Sequence, residues 1–197
     1  MKKIFIVMIC LTFCIYAQDF TYVGNAKCKT CHRKAEIGNQ FKQWADGPHA
    51  KAFETLTTEE SAKIAKELGI EGSAWEAPEC LKCHTTGYGD GGYEVKDETF
   101  WKLADPEDKA AKKAIKRMKG LMNVGCEVCH GAGSGYKSKS KMKAVRAEEI
   151  TYESVGLLKI TEETCIVCHN EDSPTHKSFN YEERITEFEH PIPESEN

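Results

Sequence analysis

The feature that most constrains this chain is a five-residue frame that occurs four times. The frames are Cys28-Lys29-Thr30-Cys31-His32, Cys80-Leu81-Lys82-Cys83-His84, Cys126-Glu127-Val128-Cys129-His130 and Cys165-Ile166-Val167-Cys168-His169. Of ten cysteines, Cys10 and Cys14 lie in an N-terminal apolar run and the other eight all fall in the frames. Two thiols three positions apart on a helical turn reach the two vinyl groups of one porphyrin, and the next residue places an imidazole under the iron. A redox dithiol, half a zinc site or a vicinal disulfide would explain one Cys-x-x-Cys, but not a histidine abutting every pair. The spacer residues differ in every frame, as expected where only Cys and His do chemistry. The expectation is four haem c groups, bound covalently through Cys28 and Cys31, Cys80 and Cys83, Cys126 and Cys129, and Cys165 and Cys168. His32, His84, His130 and His169 are then the proximal iron ligands. The frames start at 28, 80, 126 and 165, too irregular for a strict repeat array.

A chain of 197 residues with 40% hydrophobic and 29% charged residues is polar for its size. A large apolar cofactor then stands in for side-chain core. Lys2 and Lys3, the apolar run Ile4 to Tyr16 and the small Ala17 read as a cleaved signal peptide over residues 1–17, ahead of a single tetrahaem domain over 18–197. The protein is thus expected to be exported, to a periplasm or equivalent space. An uncleaved anchor is the alternative, since Ile15 is large for its place before the cleavage site. Losing Lys2 and Lys3 leaves 25 basic against 31 acidic residues, which argues against nucleic acid as a partner.

The chain has seven histidines. Once four are proximal, His49, His176 and His190 remain as distal candidates. Four bis-histidine irons need eight, so at least one iron lacks a distal histidine. His49 follows a helix-breaking Gly47-Pro48 and sits at the start of the next helix. His190 precedes Pro191 in a stiff tail. His176 follows Ser173-Pro174-Thr175 in a turn, where ligand and surface residue are both open readings. Met118 and Met122, four apart, read as one apolar helix face, and Met142 stays a candidate ligand.

Helices are expected over residues 33–46 (Ile37, Phe41 and Trp44 on one face), from Ala50 to Leu68, from Pro106 to Lys119 and from Glu182 to Phe188. No strand pattern stands out. The fold class is therefore mostly α: a small helical multihaem protein with long loops and a core built largely of haem. The loop from Thr85 to Gly92, with four glycines, is either a close approach to a porphyrin face or an ordinary turn. Lys109, Lys112, Lys113, Lys116, Arg117 and Lys119, then Lys137, Lys139, Lys141 and Lys143, form basic clusters that read as a solvated face or as a dock for a redox partner protein.

The order of these residues resembles the tetrahaem cytochrome c-554 family. The resemblance runs through Cys28 to His32, Trp44, His49-Ala50-Lys51-Ala52, Cys80 to His84 with Thr85-Thr86-Gly87-Tyr88-Gly89 and Gly91-Gly92-Tyr93. It continues in Val124-Gly125-Cys126 to Gly131, the fourth frame with Ser173-Pro174, and the late His190. It implies a mostly helical fold with three bis-histidine haems and one five-coordinate haem. The founding member takes electrons from hydroxylamine oxidoreductase in the periplasm of ammonia oxidisers. By resemblance, His190 serves the haem on Cys28 and Cys31, His49 the haem on Cys126 and Cys129, and the haem on Cys80 and Cys83 is open. The chain departs from the family in the loop Gly131 to Lys139, which lacks the distal histidine that serves the fourth haem. His176, Met142, a lysine or an open iron takes that role.

The expected function is electron transfer through four haems, an electron carrier ahead of an enzyme. The alternative is reduction of nitric oxide, hydroxylamine or nitrite at a five-coordinate haem. The expected partners are redox proteins, with a membrane-associated quinol or multihaem partner as further options. A gas sensor or storage module ranks last.

Overall fold

The structure is a computed structural model that describes residues 19–102, 107–190 and 192. The signal peptide expected over 1–17, Pro106, Pro191 and the acidic residues Glu194 and Glu196 lie outside the described residues. Eleven α-helices and no strand occur among the described residues, as the mostly α expectation requires. They are α1 (Asn25–His32), α2 (Gln40–Asp46), α3 (Ala52–Thr55), α4 (Glu59–Glu67), α5 (Pro78–His84), α6 (Glu98–Lys102), α7 (Lys109–Lys119), α8 (Cys126–His130), α9 (Lys139–Arg146), α10 (Glu162–Ile166) and α11 (Tyr181–Phe188).

Two of the expected long helices are broken, each by local chemistry. The stretch 33–46 divides at Gly38 and Asn39, both at positive φ, with a 3-10 turn before them and α2 after. The stretch from Ala50 to Leu68 divides where Thr58 caps α4, its side chain accepting from the Ser61 N–H at 3.3 Å. Helix α7 begins at Asp108, whose carboxylate accepts from the Ala110 and Ala111 N–H groups at 2.8 and 3.0 Å. The capping residue of α7 is therefore Asp108. Replacing Asp108 with Ala is expected to cost about 1 kcal/mol, read in a chemical unfolding curve of the haem-loaded protein.

The side-chain core is thin. One cluster gathers Phe53, Leu56, Ala65, Ala74, Leu81, Tyr93, Met118 and Leu121, and a second gathers Tyr136, Val145, Val155 and Leu157, with Met142 packed against it. The bland reading of Met118 holds: it is buried and its Sδ accepts from the Glu94 N–H at 3.4 Å. Met142 is occupied with apolar packing.

Polar side chains tie the frames together where apolar packing is short. Asn25 Oδ1, at the start of α1, accepts from the Cys126 N–H at 3.1 Å. The hydroxyl of Thr86 donates to Asn123 O at 2.6 Å and accepts from the Gly125 N–H at 2.9 Å. Asn123 Oδ1 accepts from the Phe53 N–H at 2.8 Å. Groups after the second frame and before the third are thus bonded to one another and to α1 and α3. The glycine loop closes on itself, with the Asp90 and Gly92 N–H groups donating to Gly87 O and the Tyr93 N–H to Thr86 O. A side chain at Gly87 would run into the Tyr22 ring. The loop is therefore a turn packed on the N-terminal arm.

Candidate haem-attachment sites

Each Cys-x-x-Cys-His frame lies on a short helical turn. In α1, α5 and α8 the histidine is the last helical residue. In the fourth frame α10 ends at Ile166, and the turn is carried on by the Cys168 and His169 N–H groups, which both donate to Cys165 O, at 3.2 and 3.0 Å. A capping box at Thr161 and Thr164 fixes the start of α10. The chain itself therefore supplies the geometry that brings two thiols and one imidazole to a common side.

All eight cysteines are free thiols and all are half-buried. They meet across frames. The Cys28 thiol contacts that of Cys126; this hydrogen bond, with burial, pushes the Cys28 thiol up, and the same hydrogen bond holds Cys126 down against its own burial. Likewise the Cys168 thiol hydrogen-bonds Cys83, lowering Cys83 to about 7, with Lys82 adding to the effect. Cys165 acts electrostatically on Cys129, and α8 packs on both α1 and α10. The frames thus abut in the order first, third, fourth, second, which differs from their order in the chain.

Two of the frame imidazoles are oriented by carbonyl oxygens. His84 Nδ1 lies 2.6 Å from Ala52 O, with Thr55 Oγ1 at 3.2 Å. A carbonyl only accepts, so Nδ1 carries the proton and Nε2 keeps a free lone pair. His32 Nδ1 lies 3.2 Å from Gln40 Oε1 in the same arrangement.

The remaining histidines divide. The His130 and His190 rings lie 5.8 Å apart between centroids, and those of His49 and His169 lie 6.0 Å apart. Burial first, then His190 and His32, pushes His130 down to about 4. Burial also lowers His49 and His190, helped by His169 and by His32 respectively. Each is held as the neutral imidazole that a metal needs. Nδ1 of His190 is buried without a hydrogen-bond partner. The resemblance pairs His190 with His32 and His49 with His130, whereas the ring contacts here run from His190 to His130 and from His49 to His169. The cause is α11. Its Phe188 stacks on His49 at 4.8 Å, and the Gln43 side chain donates to Glu189 O, which sets His190 beside both His32 and His130. His176 is exposed in its turn, with the Ser173 carbonyl accepting from its N–H. The Phe179 ring covers His169 at 4.7 Å.

The spacer residues are not all free to vary. Lys29, Thr30, Lys82, Ile166 and Val167 are exposed, but Leu81 and Glu127 are buried, at 0% and 1% exposure. Leu81 belongs to the main apolar cluster. The Glu127 carboxylate accepts from the N–H groups of Val23 (2.8 Å), Gly24 (2.7 Å) and Gly133 (2.6 Å). Nothing in the pattern around Glu127 marks it, because its partners are backbone groups far off in the chain.

The residues present fit haem c: free thiol pairs on helical turns, neutral imidazoles with oriented rings, and a core too thin for the chain it serves. Among the described residues no three or more His, Cys, Asp or Glu side chains converge on a bare metal ion, and no helix is long and apolar enough to cross a membrane. These features fit the class of multihaem c-type cytochromes, which hold haem covalently.

The comparisons narrow that class. The family model described as cytochrome c554 and c-prime matches residues 27–107. Cytochrome c-554 of Nitrosomonas europaea is 28% identical over 172 residues, covering 78% of this chain and 59% of that protein. The chain thus spans less than two thirds of this relative's length. A solved structure of the reduced state of cytochrome c554 from Nitrosomonas europaea matches with a TM-score of 0.52 at 25% identity, over 86% of this chain and 78% of that one. Together they support the cytochrome c554 family for this chain.

Proposed function

We propose that this chain carries four haem c groups, one on each frame, and relays single electrons between redox partners outside the cytoplasm. The contact order of the frames carries this reading: Cys28 to Cys126, Cys129 to Cys165 and Cys168 to Cys83 form a continuous series of neighbours. When bound, haem c supplies an iron that cycles between ferric and ferrous states and so accepts and returns one electron. The residues do the rest. His32, His84, His130 and His169 serve as proximal ligands, with Ala52 O and Gln40 Oε1 fixing two of their tautomers. His190 and His49, whose rings lie beside those of His130 and His169, would supply the second ligand at those two frames. His176, exposed to solvent, serves none. His32 and His84 then lack a histidine of their own on the distal side.

Mass spectrometry of the haem-loaded protein, followed by carbon monoxide titration after reduction, tests this. The expected result is four haems and two carbon monoxide sites. Fewer than four haems overturns the reading of the frames. Carbon monoxide at one site alone returns His176 or Met142 to the ligand set.

The open positions also favour a second reading, in which nitric oxide, hydroxylamine or nitrite is reduced beside His84. Turnover of these substrates with a small-molecule reductant supports it, and no turnover above free haem removes it. For partners, the basic face of α7 is the natural dock. Lys112, Ile115, Lys116 and Lys119 line a cleft of about 380 Å³ with Gly120 and with Ala26, which precedes Cys28 by two positions. An acidic redox protein, or a membrane-associated quinol or multihaem partner, delivers or removes electrons there. Binding weakened by salt is the expected signature.

A further inference from the structure

Glu127 is the one acidic residue among the spacer positions of the four frames. Burying a carboxylate is expensive unless its lone pairs are used. Here three backbone N–H groups use them, from Val23, Gly24 and Gly133. The site is shaped for that oxygen pair: a side chain at Gly133 would sit 2.9 Å from Glu127 Oε1, and Gly24 adopts a φ of 82° that lets its N–H turn inward. The interaction ties the N-terminal arm to α8, across more than one hundred residues of chain.

A clamp of this kind could be built from a neutral side chain, and a charge has a consequence that a clamp does not. The carboxylate acts electrostatically on Cys28 and on Cys126, one thiol from each of two neighbouring frames. It also helps raise Tyr136, whose hydroxyl donates to Gly131 O, although burial is the larger cause there. Its negative charge therefore reaches both the first and the third attachment sites. In a buried setting such a charge stabilises the more positive oxidation state of a neighbouring redox centre.

We propose that Glu127 is a positioning residue that sets the redox poise of the relay, lowering the reduction potentials of the haems on Cys28/Cys31 and Cys126/Cys129 relative to the other two. This rests on the reading that those frames carry haem. The charge then shifts the first and third sites downward together, on top of the potentials that their own ligands set.

The test is a spectroelectrochemical titration of haem-loaded Glu127→Gln, Glu127→Asp and Gly133→Ala proteins beside the unaltered chain. Mass is measured first. Missing haem on the first or third frame of the unaltered chain faults the attachment reading, and the present inference falls with it. With four haems in place, the Gln variant is expected to shift two potentials upward and leave two unmoved. The Asp variant keeps the charge and holds the potentials low. Gly133→Ala disturbs the clamp without removing the charge, so it lowers stability and leaves the potentials low. Unmoved potentials in the Gln variant, or equal shifts in all three variants, overturn the proposal. Where the Gln variant does not take up haem, redox-difference infrared spectra decide instead. A carboxylate band that responds to reduction and moves in the Asp variant supports the proposal, and the absence of such a band overturns it.

Discussion

The double variant Cys126→Ser/Cys129→Ser is expected to lose one haem and, with it, rapid electron exchange between the first frame and the other two. The third frame is the junction of the molecule. Its Cys126 meets Cys28, its Cys129 lies within the electrostatic reach of Cys165, and α8 packs on α1 and α10. Removing the group at a junction separates a relay into parts, whereas removing the terminal one shortens it. The matched variant Cys80→Ser/Cys83→Ser therefore also loses one haem but leaves the first, third and fourth sites in exchange. Stopped-flow reduction by a small reductant distinguishes the two. The first variant is expected to show a slow phase, slower by orders of magnitude, that the second lacks. Equal kinetics in both would refute the contact order as the electron path.

Leu81→Ala is expected to destabilise the haem-loaded protein by about 3 kcal/mol, the usual cost of emptying a fully buried leucine site. Leu81 is 0% exposed and sits between Cys80 and Lys82, so the same turn that attaches haem also supplies the centre of the main apolar cluster. In a thin core no neighbouring layer collapses into the vacancy. The change is read as a lower midpoint in guanidinium unfolding, with haem content unaltered. At Val167, the exposed spacer of the fourth frame, substitution by alanine is expected to have little effect, because 70% of that residue is already in water.

The contrast between Leu81 and Val167 shows what a sequence reading captures. The attachment chemistry is local: five consecutive residues hold both thiols and the imidazole, so all four frames are legible, and the helical turns follow from them. The break at Gly38 and Asn39 is less legible, since the apolar spacing of Ile37, Phe41 and Trp44 continues through it, and the positive φ at both positions decides the matter. Which histidine rings come to lie beside one another is a tertiary outcome. It depends on Phe188 settling on His49, a contact between residues far apart in the chain. Glu127 shows the same limit more sharply. Its partners are main-chain groups of Val23, Gly24 and Gly133, which carry no signature of their own. Likewise His176 and His49 are both histidines near a proline, and only the fold exposes one and half-buries the other.

The crossed contacts between frames also bear on how the protein is made. On the proposed reading, the two thiols within a frame are the pair for one porphyrin. In the folded chain, however, Cys28 finds Cys126 and Cys83 finds Cys168. A polypeptide that closes before its cysteines are capped thus holds thiols from different frames side by side, ready under oxidising conditions for bonds that would bar the cofactor from both. If the frames carry haem, attachment is therefore expected to run ahead of folding, and chains loaded late are the ones an oxidising compartment would trap.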